Sequence, residues 1–323
     1  MIITRCPHRV SLLGGTTDLV NYLKKERGKV LSFAINKYMY IMINKRLDNK
    51  IKLRYFANEL VDNADELKHD IARYCLKKLD IKGVEIVSVS DVPANCGLSS
   101  SSSFACALLM ALYEFKNIKK TSKEIADEVC EIELKLNHTT GRQDAYGCAI
   151  GGIKFIEFIY NEGVNIFPFK LSNTLQKEVF ENNIRICFLK TRASESAYSV
   201  LKTYKDESNS IKKIKEYCDT AETYYQQFIF TDAFNEISLL FAKTWEEKKK
   251  LSNLISDEET DKILDYYQEK GWYGKVGGAG SGGFLVLLNK EVQVEDPPLP
   301  PTDLQELRYK IDTEGVKVLY NDN

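Results

Sequence analysis

A run of five serines at residues 99–103 is the stretch of this sequence best suited to binding an anion. It follows a Gly97-Leu98 corner, and apolar residues come after it at helical spacing: Phe104, Leu108, Leu112 and Phe115. The serines are expected to cap a helix whose first backbone N–H groups lack partners within the helix and attract a phosphate-like group. A Ser-rich linker is the alternative, but polar residues should then follow.

Two charged residues lie on either side of a glycine pair near the start of the chain. An apolar strand pattern leads into Gly14-Gly15, with Arg9 before the turn and Asp18 after it. A hairpin with incidental charges explains this pattern equally well, so the segment alone does not decide between a turn and a binding site.

Two further carboxylates, Glu133 and Asp144, occur near the middle of the chain. Glu133 lies at the edge of the apolar stripe of a helix that begins with a capping box at Thr121. A surface charge is the favoured explanation for Glu133 unless a ligand partner is found. Asp144 lies between Gly141 and Gly147, and such small neighbours would let a substrate approach its carboxylate.

A dense glycine loop at residues 274–283 contains the formal dinucleotide pattern Gly278-x-Gly280-x-x-Gly283. That pattern should follow a strand and open a helix, whereas here a strand follows the glycines and only 40 residues remain. A tight structural turn and a backbone wall against a ligand are the two remaining interpretations. The five glycines within residues 277–283 favour the wall.

Length and composition limit the class of protein. The 323 residues, 44% hydrophobic and 28% charged, suit a globular chain of two domains. The net charge of −1 gives no general affinity for nucleic acid or an anionic membrane, and no apolar run reaches the ~18 residues that span a bilayer. Neither a signal nor a transit peptide is evident, so a cytoplasmic protein is expected.

The eight cysteines contain no C-x-x-C pair and are predicted to be reduced thiols, and the three histidines are too separated for a zinc site. A domain boundary is predicted in the polar stretch near residues 160–180. The proline-rich residues 297–301 fit a PxxP ligand, but a stiff surface loop is the favoured explanation.

Hydrophobic periodicity predicts mixed secondary structure. The expected strands cover residues 1–11 with an end at Cys6-Pro7, 29–46, 51–57, 83–92, 153–158, 184–189, 284–288 and 316–320. The expected helices, besides the serine-capped one, cover 62–79, 121–137, 194–228, 231–253 and 257–270, the last with a capping box from Ser256 to Glu259.

Three segments follow the order and spacing of the three GHMP kinase motifs, and the sequence resembles that family over nearly its whole length. They are Pro7-His8-Arg9-Val10 with Gly14-Gly15 and Asp18, Pro93 with Gly97-Leu98-Ser99-Ser100-Ser101, and Gly277-Gly278-Ala279-Gly280 with Gly282-Gly283. The resemblance implies an α+β, two-domain GHMP-kinase fold. Its N-terminal domain, residues 1–175, would be of the ribosomal protein S5 domain 2 type, its C-terminal domain, residues 176–323, ferredoxin-like, and ATP would bind between them.

Within that family the sequence is most similar to bacterial kinases of D-glycero-D-manno-heptose phosphate. The likeness rests on Gly14-Gly15-x-Thr17-Asp18, on Gln143-Asp144-x-Tyr146 followed by Gly151-Gly152, and on Thr191-Arg192. The sequence departs from their pattern at Thr16, where a third glycine is usual, at Ser99, where glycine is usual, and at Ala145, where glutamine is usual. Thr16 and Ala145 are expected beside the sugar pocket.

The resemblance assigns roles to individual residues. ATP phosphates would be held by Pro93, Gly97, Leu98, Ser99, Ser100, Ser101 and Ser102, and Mg²⁺ by Glu133 with Ser101, or Ser100. Asp144 would orient or deprotonate the attacking hydroxyl, with Arg9 offsetting charge beside it. The sugar would contact Gly14, Gly15, Thr16, Asp18, Gly278, Ala279 and Gly280. Arg192 is either a clamp for a substrate phosphate or a surface charge.

Three functions are compatible with this pattern. The first is an ATP-dependent kinase that phosphorylates a heptose phosphate, such as D-glycero-D-manno-heptose 7-phosphate, at its anomeric oxygen. The second is a kinase of another sugar, of the galactose or fucose type. The third is a protein of the same fold that senses ATP and sugar without turnover. Partners other than ATP and a sugar or sugar phosphate are not expected, although a homodimer is compatible with the sequence.

Overall fold

The computed structural model describes residues 1–136, 141–169, 172, 176–190, 197–204, 208–227, 230–291 and 304–322. The strands form two sheets, and helices pack against them, so the predicted α+β class is confirmed. The proline-rich residues 297–301 and Arg192 lie outside the described residues. None of the helices within the described ranges is long and apolar enough to cross a membrane.

The first sheet has eight strands and is organised around two long ones. Its strands are β1 (Ile2–Leu13), β2 (Gly28–Lys45), β3 (Ile51–Arg54), β4 (Asn58–Val61), β5 (Val84–Ser90), β6 (Ile153–Ile159), β7 (Gly163–Pro168) and β12 (Lys317–Asn321). The first half of β2 pairs with β6 and its second half with β5, while β1 pairs along almost all of its length. All of these pairings are antiparallel except that of β3 with β5.

Short and medium helices connect and cover this sheet. They are α1 (Val20–Leu23), α2 (Asp70–Lys78), α3 (Ser100–Phe115), α4 (Ser122–Lys135) and α5 (Gln143–Ala149). Helix α3 is the central one: almost all of its residues after Ser101 are buried, and it contacts β1, β2 and α5. The capping box at the start of α4 forms as predicted, with the Thr121 hydroxyl accepting from the Glu124 N–H and the Glu124 carboxylate accepting from the Thr121 N–H.

The second sheet has four antiparallel strands: β8 (Ile184–Lys190), β9 (Trp272–Val276), β10 (Gly283–Asn289) and β11 (Gln305–Glu306). Numbered within this sheet their spatial order is 4-1-3-2, which is the ferredoxin-like arrangement expected. The helices α6 (Ala197–Lys202), α7 (Ser208–Gln227), α8 (Phe230–Lys249) and α9 (Glu258–Glu269) lie between β8 and β9 in the chain.

One hydrophobic core joins the two sheets. It combines the second half of β1 and the first half of β2 with β8, β10, α7 and α8, through side chains such as Val10, Phe33, Phe180, Phe234 and Val286. The chain leaves the first sheet after Pro168 and enters the second at Ile184, and β12 returns to pair with β1. The 175/176 boundary stays a prediction, but the C-terminal segment contributes strands to both sheets.

Several predicted element boundaries are wrong. Strand β1 does not end at Cys6-Pro7, because a register shift against β2 at Pro7 accommodates the residue and β12 pairs only with residues before it. Residues 51–57 were expected to form one strand, but they contain β3 and the turn that leads into β4. The helix expected over 62–79 begins only at Asp70, after a 3₁₀ turn. The helix expected over 194–228 is interrupted at residues 203–204.

The start of helix α9 also differs from the prediction. Asp257, not Ser256, is its N-cap, and its carboxylate accepts from the Thr260 N–H at 2.8 Å. The Ser256 hydroxyl instead donates to Asp261. All eight cysteines are buried and none is part of a disulfide, as expected.

Candidate active site

A cavity of about 590 Å³ lies where the two sheets meet. We call its β1, α3 and α5 side the N-terminal wall, and its side from α8, β9 and the glycine loop the C-terminal wall. The predicted site residues that line it are Arg9, Gly15, Thr16, Asp18, Gly97, Ser99, Ser100, Ser101, Asp144, Gly278 and Ala279. The lining does not include Gly14, Pro93, Leu98, Ser102, Glu133 and Gly280.

The serine turn at the start of α3 does not cap the helix in the predicted way. Ser99 is the N-cap residue, but it has a left-handed backbone (φ 64°) and its side chain forms no cap hydrogen bond. Ser100 and Ser101 line the cavity, and the N–H groups of this first turn lack acceptors within the helix. The turn therefore offers backbone donors to an anion in the cavity, and its hydroxyls have other roles.

The hydroxyls of Ser103 and Ser100 bind backbone carbonyls of other segments. Ser103 is buried and donates to the Pro7 carbonyl at 3.0 Å, which ties α3 to the bulge in β1. Ser100 donates to the Pro93 carbonyl at 3.2 Å and closes the loop ahead of the helix. The Leu98 carbonyl accepts from the Arg9 backbone N–H at 3.3 Å, so this corner is fixed to β1.

Glu133, the carboxylate predicted to bind a metal, is hydrogen-bonded to Ser102, whereas Ser101 was the serine expected beside it. Glu133 is 2% exposed, and its Oε1 accepts a hydrogen bond from Ser102 Oγ at 2.8 Å. Ser101, the predicted partner, is exposed and faces the cavity. The helix begins at Ser100, after Ser99, and the third serine after Ser99 is the one directed toward α4. A carboxylate and a hydroxyl are donors that suit Mg²⁺.

No cluster of three or more acidic, histidine or cysteine side chains that could hold a metal exists within the described residues. A magnesium ion at Glu133 would therefore need further oxygen ligands from phosphate and water, which is how Mg²⁺ is commonly held in phosphoryl-transfer sites. The donor set fits this ion in chemistry, and the burial of Glu133 fits a role in which its charge is compensated.

Arg9 and Asp144 form an ion pair in the wall of the cavity. Arg9 donates from Nε at 3.1 Å and from Nη2 at 2.6 Å, both to Asp144 Oδ1, and its Nη1 donates to the Gly97 carbonyl at 2.9 Å. Burial alone would lower the pKa of Arg9, but the attraction of Asp144 outweighs it and the pKa is raised. Helix α5 brings the two side chains together, and Gly147 leaves room for Arg9, since an added Cβ would lie 3.0 Å from its Cγ.

The arrangement leaves one oxygen of Asp144 available. Both contacts from Arg9 end on Oδ1, and Oδ2 accepts no hydrogen bond from any residue that the structure describes. The Asp144 side chain is 19% exposed and lines the cavity. A carboxylate held at one oxygen and open at the other can accept a hydrogen bond from a bound hydroxyl.

Asp18, in contrast, is fully buried and has both oxygens occupied. Oδ1 accepts from the Thr16 N–H and from Gln143 Nε2, each at 3.1 Å, and Oδ2 accepts from the Gln143 N–H at 2.9 Å. Burial raises the pKa of Asp18 to about 6, and the nearby charge of Asp144 adds to the effect. Asp18 thus fixes the glycine turn to the start of α5, and its predicted contact with a sugar stays a prediction.

Three polar atoms around the glycine turn have no hydrogen-bond partner within the described residues. They are Ser11 Oγ, Thr16 Oγ1 and Gln143 Oε1, and all three residues line the cavity. Buried polar atoms are nearly always hydrogen-bonded, so this group indicates the place where a polar ligand binds. Thr16 faces the cavity as expected, but Ala145 is fully buried in the core, and its departure from the family pattern does not change the lining.

The glycine loop forms part of the C-terminal wall. Gly278 and Ala279 line the cavity, whereas Gly280 packs on Ile255, whose carbonyl oxygen would lie 2.6 Å from an added Cβ. Gly97 of the serine turn is equally close to Gly277, with an added Cβ 2.6 Å from its carbonyl oxygen. The two glycine-rich segments therefore touch backbone to backbone, and this contact joins the two walls.

Sequence patterns did not single out several lining residues. On the C-terminal wall these are Tyr204, Thr244, Lys248 and Lys275, and at the opposite end an aromatic group of Tyr55, His69 and Phe104. His69 stacks on Phe104 with ring centroids 4.5 Å apart. The i, i+4 spacing of Thr244 and Lys248 on one helix face was a weak signal, and the position of Lys275 just before the glycine loop was a stronger one.

Comparisons with known proteins find similarity to kinases of small molecules. Residues 66–152 match the family model of the GHMP kinases N terminal domain. The D-glycero-alpha-D-manno-heptose 7-phosphate kinase of Campylobacter jejuni is 28% identical over 302 residues, with 89% of each chain covered. A galactokinase of Thermotoga petrophila is 24% identical, again with 89% of each chain covered.

Among solved structures, a D-glycero-D-manno-heptose 1-phosphate kinase from Bacteroides thetaiotaomicron matches with a TM-score of 0.78 over 100% of both chains. Its sequence identity of 20% makes this a similarity of fold. Residues 66–152 therefore match the GHMP kinase N-terminal domain, and the chain shares the two-domain fold of the kinases to which it is similar.

Proposed function

We propose that this protein transfers the γ-phosphoryl group of ATP to the anomeric hydroxyl of a heptose phosphate such as D-glycero-D-manno-heptose 7-phosphate. The observation that carries the proposal is the Arg9–Asp144 ion pair, which lies in the same cavity as the open N-terminus of α3. The C. jejuni heptose 7-phosphate kinase, similar along 89% of this chain, supports the choice of substrate class.

ATP is expected to bind along the cavity from the aromatic end to the serine turn. Tyr55, His69 and Phe104 offer ring faces on which a base can stack. The first turn of α3 offers backbone N–H groups and the positive end of the helix dipole to the phosphates, a contribution of about 0.3–2 kcal/mol depending on burial. The chain has no Walker sequence, so these groups take the place of a P-loop lysine.

The acceptor hydroxyl is expected to donate to Asp144 Oδ2, which is open to the cavity. Asp144 would hold that hydroxyl in line with the γ-phosphoryl group and accept its proton, while the two hydrogen bonds from Arg9 keep the carboxylate oriented. The remaining sugar hydroxyls would bind the unpartnered atoms Ser11 Oγ, Thr16 Oγ1 and Gln143 Oε1.

We expect Glu133 to hold Mg²⁺ together with the hydroxyl of Ser102 or Ser101. When bound, the ion would neutralise charge on the phosphate oxygens. The buried hydrogen bond between Ser102 and Glu133 would keep the carboxylate facing the first turn of α3.

A kinase acting on another sugar, of the galactose or fucose type, is the second candidate, and the galactokinase of T. petrophila supports it over an equal share of the chain. A protein that senses ATP and sugar without turnover is the third. The open Asp144 oxygen argues against this third function, since a sensor would need no aligned base.

A coupled ADP-release assay over a panel of free and phosphorylated hexoses and heptoses tests the proposal. The expected result is turnover that is highest with a heptose phosphate and lost in Asp144→Asn. Highest kcat/KM with free galactose or fucose would replace the proposal by the second candidate. Binding of both ATP and a sugar without any turnover would favour the sensor.

A further inference from the structure

The C-terminal wall of the cavity presents two lysines and a hydroxyl that the phosphoryl-transfer chemistry does not use. They are Thr244 and Lys248 on α8 and Lys275 on β9. We propose that these three side chains form a subsite for the phosphate group that the acceptor sugar already carries. This inference rests on the proposed function, and it specifies which residues would distinguish a sugar phosphate from a free sugar.

Lys275 is a buried lysine that has no carboxylate partner within the described residues. It is 5% exposed, its Nζ donates to the Leu12 carbonyl at 2.7 Å, and it lies 4.9 Å from the centre of the Phe241 ring. None of the described carboxylates forms an ion pair with it. Burial lowers the pKa of Lys275 well below its usual value, and the charges of Lys248 and Arg9 lower it further. A bound anion would compensate this charge.

Thr244 supplies a second, independent observation. It is 2% exposed and lines the cavity, and its Oγ1 has no hydrogen-bond partner within the described residues. Threonine in a helix commonly donates to a carbonyl one turn earlier, and this hydroxyl does not. A donor that is buried and unpartnered beside two lysines fits a phosphate oxygen.

Lys248 completes the group from one turn further along α8. It is 6% exposed, lines the cavity, and donates from Nζ to the carbonyl of Gly278. Thr244 and Lys248 share one face of the helix with Phe241, because the three residues are spaced by three and then four positions. The phosphate subsite would thus extend from the glycine loop to Lys275.

The shared chemistry is a phosphate group, and either the acceptor or the nucleotide could supply it. The location favours the acceptor. Lys275 binds the Leu12 carbonyl at the end of β1, beside the glycine turn whose unpartnered atoms are expected to bind the sugar. The nucleotide phosphates are expected instead at the first turn of α3, which belongs to the N-terminal wall.

The test compares Thr244→Val and Lys248→Met with the wild type on D-glycero-D-manno-heptose 7-phosphate and on the free heptose. The measured quantity is the ratio of the two kcat/KM values, phosphorylated over free. Each substitution should lower this ratio about 10- to 100-fold, since each removes a hydrogen bond to a charged group. Lys243→Met is the matched control: Lys243 is exposed on the same helix outside the cavity lining, and its substitution should leave the ratio unchanged.

Several outcomes would overturn the inference. An unchanged ratio together with a raised KM for ATP would assign the lysines to the nucleotide. Equal kcat/KM for both sugars in the wild type would remove the subsite and leave the proposed kinase activity intact. Failure of every sugar to react would instead refute the proposed function.

A measurement without turnover separates these cases and covers a Lys248→Met protein that does not fold. Inorganic phosphate is titrated by calorimetry into the protein saturated with a non-hydrolysable ATP analogue. The wild type and Lys243→Met should bind phosphate, and the nearly isosteric Thr244→Val should bind it at least about 10-fold more weakly. Equal binding by Thr244→Val and the wild type would contradict the proposal.

Discussion

The two walls of the cavity handle charge in opposite ways. On the N-terminal wall each ionised group has a partner: Arg9 pairs with Asp144, and Asp18 accepts three hydrogen bonds at the start of α5. On the C-terminal wall the buried Lys275 has the Leu12 carbonyl and the Phe241 ring beside it and, within the described residues, no carboxylate partner. The first wall is thus organised before any ligand binds, whereas the second gains most from an anionic ligand.

This difference separates two tasks that share one cavity. A preorganised wall suits the reaction, because a carboxylate that accepts a proton must hold its orientation when the substrate arrives. An uncompensated wall suits recognition, because its electrostatic attraction is realised only when the matching anion is present. The comparison makes predictions for the two carboxylates, for the contact between the walls, and for the helix that supports the second wall.

The largest expected effect is at Asp144. Asp144→Asn keeps the size of the side chain and removes its ability to accept a proton, so kcat should fall about 10²- to 10⁴-fold. Steady-state ADP release measures this change, and calorimetry with an ATP analogue should show nucleotide binding close to that of the wild type. Activity equal to the wild type would rule out Asp144 as the base.

Asp18 is expected to make the stability of the fold depend on pH. Its pKa of about 6 in the folded protein lies above the 3.8 of an ordinary aspartate, so between these values the folded state holds a proton that the unfolded chain has lost. Stability from this group is therefore complete below about pH 4 and decreases as the pH rises through 6, by up to about 3 kcal/mol for a shift of about two units.

Denaturant unfolding of the wild type and Asp18→Asn from pH 4.5 to pH 7.5 measures this contribution. The wild type should lose stability relative to the variant over that range, because only the wild type ionises a buried carboxyl group at this position. A difference between the two proteins that does not change with pH would contradict the assignment.

The contact between the walls can be tested at Gly97. Gly97 has φ +83°, and an added Cβ would lie 2.6 Å from the Gly277 carbonyl oxygen. Gly152→Ala is the matched control, since Gly152 has φ +80° and no atom within 4 Å of the added Cβ. Both substitutions should cost about 1–2 kcal/mol in backbone strain.

Gly97→Ala should cost a further ~1–3 kcal/mol through overpacking, and it should also raise the KM for ATP because the serine turn must move. Thermal unfolding and ADP-release kinetics measure both effects. Equal destabilisation by the two substitutions, with an unchanged KM, would show that the contact between the glycine-rich segments does not couple the walls.

Sequence patterns predicted the N-terminal wall far better than the C-terminal one, for a physical reason. Turns that need positive φ or close backbone approach require glycine, as at Gly97, and so leave a visible pattern. The central helix α3 was predicted correctly because a long apolar segment follows the serines, whereas the α+β class was implied by the resemblance to the GHMP kinases. Thr244 and Lys248 satisfy no local backbone requirement, and only tertiary packing places them in the cavity.

Finer details depended on geometry that spacing does not determine. The serine that meets Glu133 is Ser102 rather than Ser101, since the left-handed backbone of Ser99 decides where α3 begins. Asp257 caps α9 although Ser256 and Glu259 fit the sequence pattern of a capping box. A shift of one residue at a helix start is within the usual uncertainty of sequence patterns, but it changes which side chain points at a partner.

The smallest expected effect concerns helix α9, which packs against β9 and so supports Lys275 on the C-terminal wall. Asp257→Ala removes the N-cap hydrogen bond to Thr260 and the ion pair with Lys190, and should lower the free energy of unfolding by about 1 kcal/mol. Ser256→Ala removes only the contact with Asp261 and should cost no more than about 0.5 kcal/mol. Urea unfolding of both variants gives these values, and a larger loss for Ser256→Ala would restore the capping box that the sequence pattern favoured.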